Sequence, residues 1–243
     1  MTGPEAFMQE QPPIHCWGVS AELRPLLGGH RNLAFRTVGL PHDLVFKSTR
    51  RSREAIAWLS TVHALAQQSG FVVPTLLKST GGQYLVDGWT CEAFIHGRAF
   101  LPSDIPSIRR EISRFHRLTE NVPQRPGFLS ARDLLTATKG GDVDLDKMPA
   151  DLVETCRRAW HKLGNGRHAV VHGDLTPGNL VRCADGRAAL LDWDECRRDH
   201  PQFDIGCLGP ACATVQQALW AWETACSWEI EPVHALQVAA RLC

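Results

Sequence analysis

Apolar residues occur in short runs over the first part of the chain and at helical spacing over most of the rest. The runs at 44–47, 72–77 and 83–86 are separated by glycines and polar residues, and they predict strands of a small antiparallel sheet. From Ser103 onward, apolar residues recur at intervals of three and four, which predicts helices. A sheet followed by helices is typical of an α+β fold.

One helix is predicted within the first part of the chain. Apolar side chains between positions 55 and 66 have helical spacing, the segment opens at Ser52, and Gly70 follows it as a stop. This pattern predicts a helix from about 52 to 68. The predicted N-terminal part is therefore a small sheet with one helix.

A different pattern interrupts the helical part of the chain. Ala169-Val170-Val171 predicts the end of a buried strand, and the polar residues His172-Gly173-Asp174 follow it directly. Further on, Asp185-Gly186 separates two apolar runs and predicts a hairpin with a two-residue turn, because both turn positions require positive φ. If the strands pair about this turn, 184 faces 187 and 180 faces 191. One step further, Asn179 faces Asp192.

The predicted hairpin would bring oxygen-bearing side chains together. Directly opposite residues on one face of a hairpin have Cβ atoms about 5 Å apart, so Asn179 and Asp192 would meet, with Asp174 on the loop beside them. Two carboxylates and an amide oxygen suit a hard cation such as Mg²⁺, which takes its remaining ligands from phosphates and water. One carboxylate would then accept a proton from an attacking hydroxyl, as phosphoryl transfer requires.

The segment 172–179, His-Gly-Asp-x-x-x-x-Asn, followed by Leu-Asp-Trp-Asp at 191–194, resembles the aminoglycoside phosphotransferase and choline kinase group of the protein-kinase-like fold. The resemblance implies that Asp174 is the catalytic base and that Asn179 and Asp192 bind the metal. It also implies a bilobal protein-kinase-like fold, with ATP and Mg²⁺ as cofactors.

Two further features follow from the same resemblance. His172 would be a structural member of the catalytic loop. The segment 199–204, Asp-His-Pro-Gln-Phe-Asp, resembles the family's Asp-Pro-x-x-x-Asp with one residue inserted, and it implies that Asp204 supports the catalytic loop through its backbone.

The N-terminal part contains candidate phosphate-binding residues. Glycines such as Gly28 and Gly29 allow a phosphate to approach the backbone closely, although a plain hairpin turn is an alternative explanation. With Asn32 they resemble the Gly-Gly-x-x-Asn of the antibiotic kinases. Lys47 ends an apolar strand and could reach phosphate oxygens; the alternative is a lysine that protects an edge strand from aggregation.

The resemblance also assigns roles to residues on either side of the predicted sheet. Glu54 would be the ion-pair partner of Lys47, although an acid in the first turn of a helix is favourable in any case. Backbone groups near Ala93 and Ile95 would bind adenine. For this chain of 243 residues, the implied organisation is a nucleotide-binding lobe at 1–91, a hinge at 92–97, and a catalytic and acceptor-binding lobe at 98–243.

Composition excludes several classes of protein. The 26 basic and 26 acidic residues balance, which argues against a broad surface for nucleic acid or for an anionic membrane. The nine cysteines form no Cys-x-x-Cys, so a disulfide framework or zinc site is not expected, and a reducing, cytoplasmic location is. Neither a signal peptide nor an apolar run of membrane-spanning length is recognised.

The expected activity is transfer of the γ-phosphate of Mg-ATP to a hydroxyl of a small molecule, such as an aminoglycoside, homoserine, choline or thiamine. Tryptophans and acids of the C-terminal helices, among them Glu223, would suit an amino-sugar or polyamine acceptor, but they would equally suit a packed core. Two alternatives remain: a nucleotide-binding regulator without activity, and a metal-dependent phosphohydrolase.

Overall fold

The computed structural model describes residues 11–26 and 32–242, and these form two compact units. The first unit contains the described residues of Met1–Arg51 together with Leu76–Phe94. The second contains Ser52–Thr75 together with the described part of Ile95–Cys243. The segment Ser52–Thr75, which includes the helix predicted at 52–68, therefore packs with the second unit, while the lobe and hinge boundaries drawn from the sequence remain a prediction.

The first unit is built on an antiparallel five-stranded sheet, which confirms the predicted small sheet. Its strands run in the spatial order β1-β2-β3-β5-β4. Their bounds are β1 Glu22–Pro25, β2 Ala34–Val38, β3 Leu44–Ser48, β4 Leu76–Leu77 and β5 Trp89–Ala93.

Aromatic side chains fill the core of this sheet. Phe35, Phe46 and Trp89 are buried on it, and Trp17 meets Phe46 edge-to-face with ring centroids 5.5 Å apart. The indole nitrogen of Trp17 also donates to the carbonyl of Leu77 over 3.0 Å, so the preceding segment is fixed to the sheet.

One predicted strand of this unit is wrong. Residues 83–86 form a turn-rich segment with a single bridge between Val86 and Trp89, and the run at 72–77 contributes only Leu76–Leu77 to the sheet. Val72 instead pairs with Ala189 in the second unit, to which both residues belong. An apolar run thus marks burial correctly but does not identify the partner.

The second unit is mainly helical. Its helices are α1 Arg53–Ser69, α2 Arg109–Thr119, α3 Ala150–His161, α4 Gln202–Ile205, α5 Ala213–Ser227 and α6 Pro232–Ala239. Helix α1 starts where the sequence predicts, because the hydroxyl of Ser52 accepts a hydrogen bond from the Ala55 amide over 3.2 Å, and Gly70 ends it with φ 117°. No helix among residues 11–26 and 32–242 is long and apolar enough to cross a membrane.

Short strands of the second unit hold the loops between these helices. Strand β9 pairs antiparallel with β12, and β10 lies between β6 and β11. The bounds are β6 Arg98–Ala99, β7 Lys139–Gly140, β8 Val143–Asp144, β9 Ala169–Val171, β10 Leu180–Arg182, β11 Ala188–Leu190 and β12 Arg197–Asp199. Beneath them, α3 packs on α5 through Trp160 and Trp222, with ring centroids 6.2 Å apart.

The β10–β11 hairpin forms with a register one residue away from the predicted one. Leu180 pairs with Leu190, and the amide of Cys183 donates to the carbonyl of Arg187 over 2.9 Å, so the loop has three residues, 184–186. Only the last of them, Gly186, has positive φ, at 84°. A three-residue loop of this kind ends with one left-handed residue, whereas the predicted turn required two.

Candidate active site

Asp174 and Asn179 are in direct contact. Asp174 lies on the loop after β9, and Asn179 ends the single 3₁₀ turn Pro177–Asn179 that leads into β10. The side-chain nitrogen of Asn179 donates to Oδ2 of Asp174 over 2.7 Å and to its backbone carbonyl over 3.1 Å. These bonds fix the orientation of the amide, so its oxygen is directed elsewhere and can bind a cation.

Asp192 is one residue beyond the paired part of the hairpin. The amide of Leu191 donates to the carbonyl of Asn179 over 2.9 Å, so Leu191 and not Asp192 faces Asn179, as the changed register requires. Asp192 has a left-handed backbone with φ 53°, which for a residue other than glycine costs on the order of 1–3 kcal/mol. Its side chain is exposed.

The environment of Asp174 favours a proton on its carboxyl group. Burial raises the pKa of Asp174 above the ordinary value, and the negative charges of Asp192 and Glu223 raise it further. The imidazole of His172 and the hydrogen bond from Asn179 act in the opposite direction but do not cancel the effect. A carboxylate with a raised pKa is a stronger base, which suits proton abstraction near neutral pH.

The loop at 172–179, which carries the candidate base, is held by the carboxylate of Asp204. The backbone amides of His172 and Gly173 each donate to this carboxylate over 3.0 Å, and Nε2 of His116 lies 2.8 Å from Oδ2. Burial would raise the pKa of Asp204, but the hydrogen bond and charge of His116 and the Gly173 amide outweigh it and lower that pKa. The supporting contact expected of Asp204 is therefore present, and His116 is a buried histidine that takes part in it.

His172 joins the two loops that carry the candidate residues. Its Nε2 donates to the carbonyl of Leu191 over 2.9 Å, and its Nδ1 accepts the amide of Asp174 over 3.3 Å. The first bond reaches the residue before Asp192, and the second reaches Asp174 itself. The imidazole thus positions both loops, as a structural member of the site should.

No role was predicted from the sequence for two buried arginines of this site. Nη1 of Arg125 donates to the carbonyls of Trp193 (3.0 Å), Asp194 (3.0 Å) and Cys196 (3.2 Å), and it fixes the loop that follows Asp192. Arg197 forms a fully buried ion pair with Asp199 at 2.8 Å and stacks on a tryptophan of α5. Arg125 lies in a stretch without periodicity, and no local pattern marks it.

Arg197 also explains a glycine of the motif. Gly173 has φ 88°, and a Cβ at this position would lie 2.9 Å from Nη1 of Arg197 and 3.0 Å from the carbonyl oxygen of Glu195. The residue between His172 and Asp174 is therefore glycine for two reasons, a left-handed backbone and a guanidinium packed against its Cα.

Glu223 lies on α5, within the electrostatic environment of Asp174. Its Oε1 is 2.7 Å from Nε2 of His234 on α6, and both side chains are about half exposed. The neighbouring Trp222 donates its indole N–H to Glu195 over 3.2 Å, which ties α5 to the loop after Asp192. A carboxylate accessible to solvent therefore lies on the helix beside the candidate base.

The candidate residues of the first unit have varied surroundings. Lys47 is half-buried in β3, between Ala34 of β2 and Thr90 of β5. Ala93 ends β5, paired with Leu44, and Asn32 precedes β2. The other two candidates, Gly28 and Gly29, lie outside the described residues.

Glu54 and Ile95 belong to the second unit. Glu54 is exposed in the first turn of α1, where hydrogen bonds from its own backbone amide and from the Ser52 hydroxyl lower its pKa. This is the ordinary surrounding of an acid at a helix N-terminus. The roles of Glu54 as a partner of Lys47 and of Ile95 in adenine binding remain predictions.

The donor set fits a hard cation. Asp174, Asn179 and Asp192 offer carboxylate and amide oxygens only, as Mg²⁺ prefers. Among the described residues there is no group of three or more His, Cys, Asp or Glu side chains arranged to hold a metal. A magnesium ion bound by these few side-chain oxygens would take its remaining ligands from phosphates and water, as in phosphate-transferring enzymes.

A comparison with protein families finds a match over most of the chain. A model described as the phosphotransferase enzyme family matches residues 22–225. The chain belongs to this family, and the predicted resemblance and the prediction of a phosphotransferase enzyme are confirmed. A search of curated proteins finds no match.

Solved structures agree on the fold. The chain is similar to spectinomycin phosphotransferase APH(9)-Ia, crystallised with ADP and spectinomycin, at 10% identity and a TM-score of 0.59, covering 94% of this chain and 91% of that one. It is similar to a thermostable mutant of aminoglycoside phosphotransferase APH(4)-Ia with ADP and hygromycin B, at 11% identity, a TM-score of 0.62 and 94% coverage of both. A third is macrolide 2′-phosphotransferase MphH from Brachybacterium faecium, at 15% identity, a TM-score of 0.55, and 94% and 95% coverage. The α+β protein-kinase-like fold is therefore confirmed.

Proposed function

We propose that this protein transfers the γ-phosphoryl group of Mg-ATP to a hydroxyl group of a small molecule. The observation that carries the proposal is the contact of Asp174 with Asn179 beside the charge of Asp192. Asn179 occupies Oδ2 of Asp174, so Oδ1 is the oxygen that accepts the proton of the acceptor hydroxyl. The hydroxyl oxygen then forms the new bond to the γ-phosphorus, and the bond from that phosphorus to ADP breaks.

The proposed metal ligands are Asn179 and Asp192. Bound there, Mg²⁺ would neutralise charge on the phosphate oxygens. The raised pKa of Asp174 supports its role as the base and not as a third permanent ligand, because the protonated form is more accessible than for an ordinary aspartate. Asp204 and His172 hold the loop that carries Asp174 and the segment that carries Asp192 in place during the transfer.

The proposed nucleotide-binding residues lie mainly in the first unit. Lys47 would contact ATP phosphates with Gly28, Gly29 and Asn32, and Glu54 would orient Lys47. Backbone groups at Ala93 and Ile95 would bind adenine. Support comes from family membership and from the nucleotides in the names of two similar structures.

The acceptor is proposed to carry a cationic group near its reactive hydroxyl. Glu223 is accessible on α5 and its charge reaches Asp174, so an ammonium group bound to Glu223 would hold a neighbouring hydroxyl close to the base. An aminoglycoside-type antibiotic or an amino alcohol such as choline or homoserine fits this chemistry. The similar structures that are named for spectinomycin, hygromycin B and a macrolide support a hydroxylated small molecule.

The proposal can be tested by measuring ADP formation from Mg-ATP with a panel of aminoglycosides, macrolides and amino alcohols, and by detecting phosphorylated product by mass spectrometry. Asp174→Asn should lower kcat by about 10²–10⁴-fold while ATP still binds. Asp185→Asn is the matched control, because Asp185 is exposed at the tip of the β10–β11 hairpin.

The same measurements distinguish the alternatives. A nucleotide-binding regulator would bind ATP, release no ADP with any acceptor, and tolerate Asp174→Asn. A phosphohydrolase would release phosphate without an acceptor and would be indifferent to Lys47→Ala. Either result would exclude the proposed transfer.

A further inference from the structure

A histidine of α1 is buried against the residue that follows Asp192. His63 is 5% exposed, and its ring centroid is 4.9 Å from that of Trp193. Neither ring nitrogen makes a hydrogen bond of acceptable geometry among the described residues. The backbone carbonyl of Pro74 is nevertheless near enough to raise the pKa of the ring. Burying unpaired polar atoms is unfavourable, so the ring is not explained by its own hydrogen bonding.

Trp193 is held on more than one side. Its ring centroid is 4.8 Å from that of His172, and its indole N–H donates to the carbonyl of Leu190 over 3.0 Å. The ring therefore stands between α1 and the catalytic loop. Any displacement of His63 changes the wall against which Trp193 packs.

A second contact connects α1 to the same loop. Trp58, five residues before His63, donates its indole N–H to the Pro123 carbonyl over 2.9 Å, and its ring lies 5.9 Å from the guanidinium carbon of Arg125. Arg125 in turn holds the carbonyl of Trp193. Helix α1 thus contacts the loop both at the tryptophan ring and, through Arg125, at the backbone.

Asp192 requires such support because its backbone is left-handed, a conformation that persists only where neighbouring structure imposes it. We propose that His63 is a positioning residue, which sets the place of Asp192 for its cation through the ring of Trp193. This inference rests on the proposed function, in which Asp192 binds Mg²⁺. Residues that orient metal ligands typically change metal affinity or activity by about 10–100-fold when they are removed.

The test measures the Mg²⁺ concentration that gives half-maximal ADP formation at fixed ATP, separately from kcat. His63→Ala should raise this concentration about tenfold or more. His63→Phe keeps a ring against Trp193 and should stay within about twofold of the parent protein. Val62→Ala, a truncation at a fully buried neighbour on α1, should leave the Mg²⁺ requirement unchanged.

A double-mutant cycle shows whether the effect passes through Trp193. Adding His63→Ala to Trp193→Leu should cause less than a twofold further change, because the ring that His63 supports is already gone. Fully additive effects, or a Mg²⁺ requirement in His63→Ala equal to that of the parent, would overturn the proposal. If His63→Ala does not fold, His63→Leu takes its place in the cycle.

Failure of this inference is distinguishable from failure of the proposed function. If the parent protein forms no phosphorylated product, the proposed function itself is wrong. If the parent is active and Asp192→Ala abolishes activity, but every His63 variant has the parental Mg²⁺ requirement, only the positioning role of His63 is wrong.

Discussion

The side-chain nitrogen of Asn179 lies 2.7 Å from the carboxylate oxygen Oδ2 of Asp174 and donates a hydrogen bond to it. The bond joins the proposed metal ligand to the proposed base. It orients the amide oxygen of Asn179 for a cation and lowers the pKa of Asp174 against the larger effect of burial. In the proposed mechanism, this one hydrogen bond would affect both metal binding and proton transfer.

Replacing Asn179 should disturb both properties in one variant. Asn179→Ala removes a proposed ligand oxygen, so the Mg²⁺ concentration for half-maximal activity should rise about 10–100-fold. It also removes the hydrogen bond that lowers the pKa of Asp174, so the acid limb of kcat/KM for ATP against pH should move to higher pH.

Asn179→Asp is the informative partner of that variant. It restores an oxygen ligand but loses the N–H donor and adds a negative charge beside Asp174, so the acid limb should again move to higher pH while the Mg²⁺ requirement recovers in part. An unchanged Mg²⁺ requirement in Asn179→Ala would exclude Asn179 as a ligand.

The register of the β10–β11 hairpin shows where local sequence was insufficient. Asp185-Gly186 predicts a two-residue turn, but the structure adds Ala184 to the loop and needs positive φ only at Gly186. The turn dipeptide locates the loop, and the pairing of the flanking strands decides its length. As a result Asp192 lies beyond the paired residues, although it stays within the electrostatic reach of Asp174.

Contacts between distant segments were the least predictable part of the site. The spacing of Asp174, Asn179 and Asp192 could be read from the sequence because the three share one loop and one hairpin. The contacts of Arg125 and His63 could not be predicted from the sequence. Each contacts a residue about 70 or more positions away, which only the fold brings near. Packing of α1 with the second unit is also a long-range property, which helical periodicity does not encode.

Two glycines separate the effect of backbone conformation from that of crowding. Gly173 and Gly186 have nearly equal φ, 88° and 84°. A Cβ at Gly173 would meet Arg197 and the Glu195 carbonyl, whereas no atom of the described residues would lie within 4 Å of a Cβ at Gly186. Gly186→Ala should cost about 1–2 kcal/mol of unfolding free energy for its left-handed backbone alone. Gly173→Ala should cost at least about 1 kcal/mol more, because the core must move.

Urea unfolding of both variants measures this difference, and the activity of the folded protein gives a second check. Gly173→Ala should also lower kcat, because the displaced loop carries Asp174. Equal destabilisation by the two substitutions would show that Arg197 and the Glu195 carbonyl move away from the new Cβ without loss of unfolding free energy.

Glu223 should influence the base and the acceptor together. Its negative charge raises the pKa of Asp174, so Glu223→Gln should lower that pKa and move the acid limb of kcat/KM for ATP to lower pH. With a cationic acceptor, KM for the acceptor should rise about tenfold or more, since a charged hydrogen bond contributes about 1.5–3 kcal/mol.

Glu229→Gln serves as the control, because Glu229 is exposed beyond the end of α5. A variant Glu223→Gln with an unchanged KM for every acceptor would remove Glu223 from the acceptor site. An acid limb that does not move would show that its charge is screened from Asp174.

His63 should make the stability of the protein depend on pH in a defined range. Burial, together with the nearby His172 and Arg125, lowers the pKa of His63 to about 3, whereas a histidine in the unfolded chain has a pKa of about 6.5. Between these values the unfolded state binds a proton that the folded state does not. Stability therefore falls as pH decreases from about 6.5, by at most about 1.4 kcal/mol per pH unit for this one group.

His63→Phe removes the titrating group and keeps an aromatic ring in its place. The free energy of unfolding, measured with urea between pH 7 and 4, should therefore decline less steeply in His63→Phe than in the parent, and the two curves should diverge only below about pH 6.5. Val62→Ala lowers stability on the same helix without removing a titrating group, so its curve should run parallel to that of the parent. Parallel curves for His63→Phe and the parent would mean that His63 gains a proton in the folded protein as readily as in the unfolded chain, and that its ring is not held in the buried contact with Trp193.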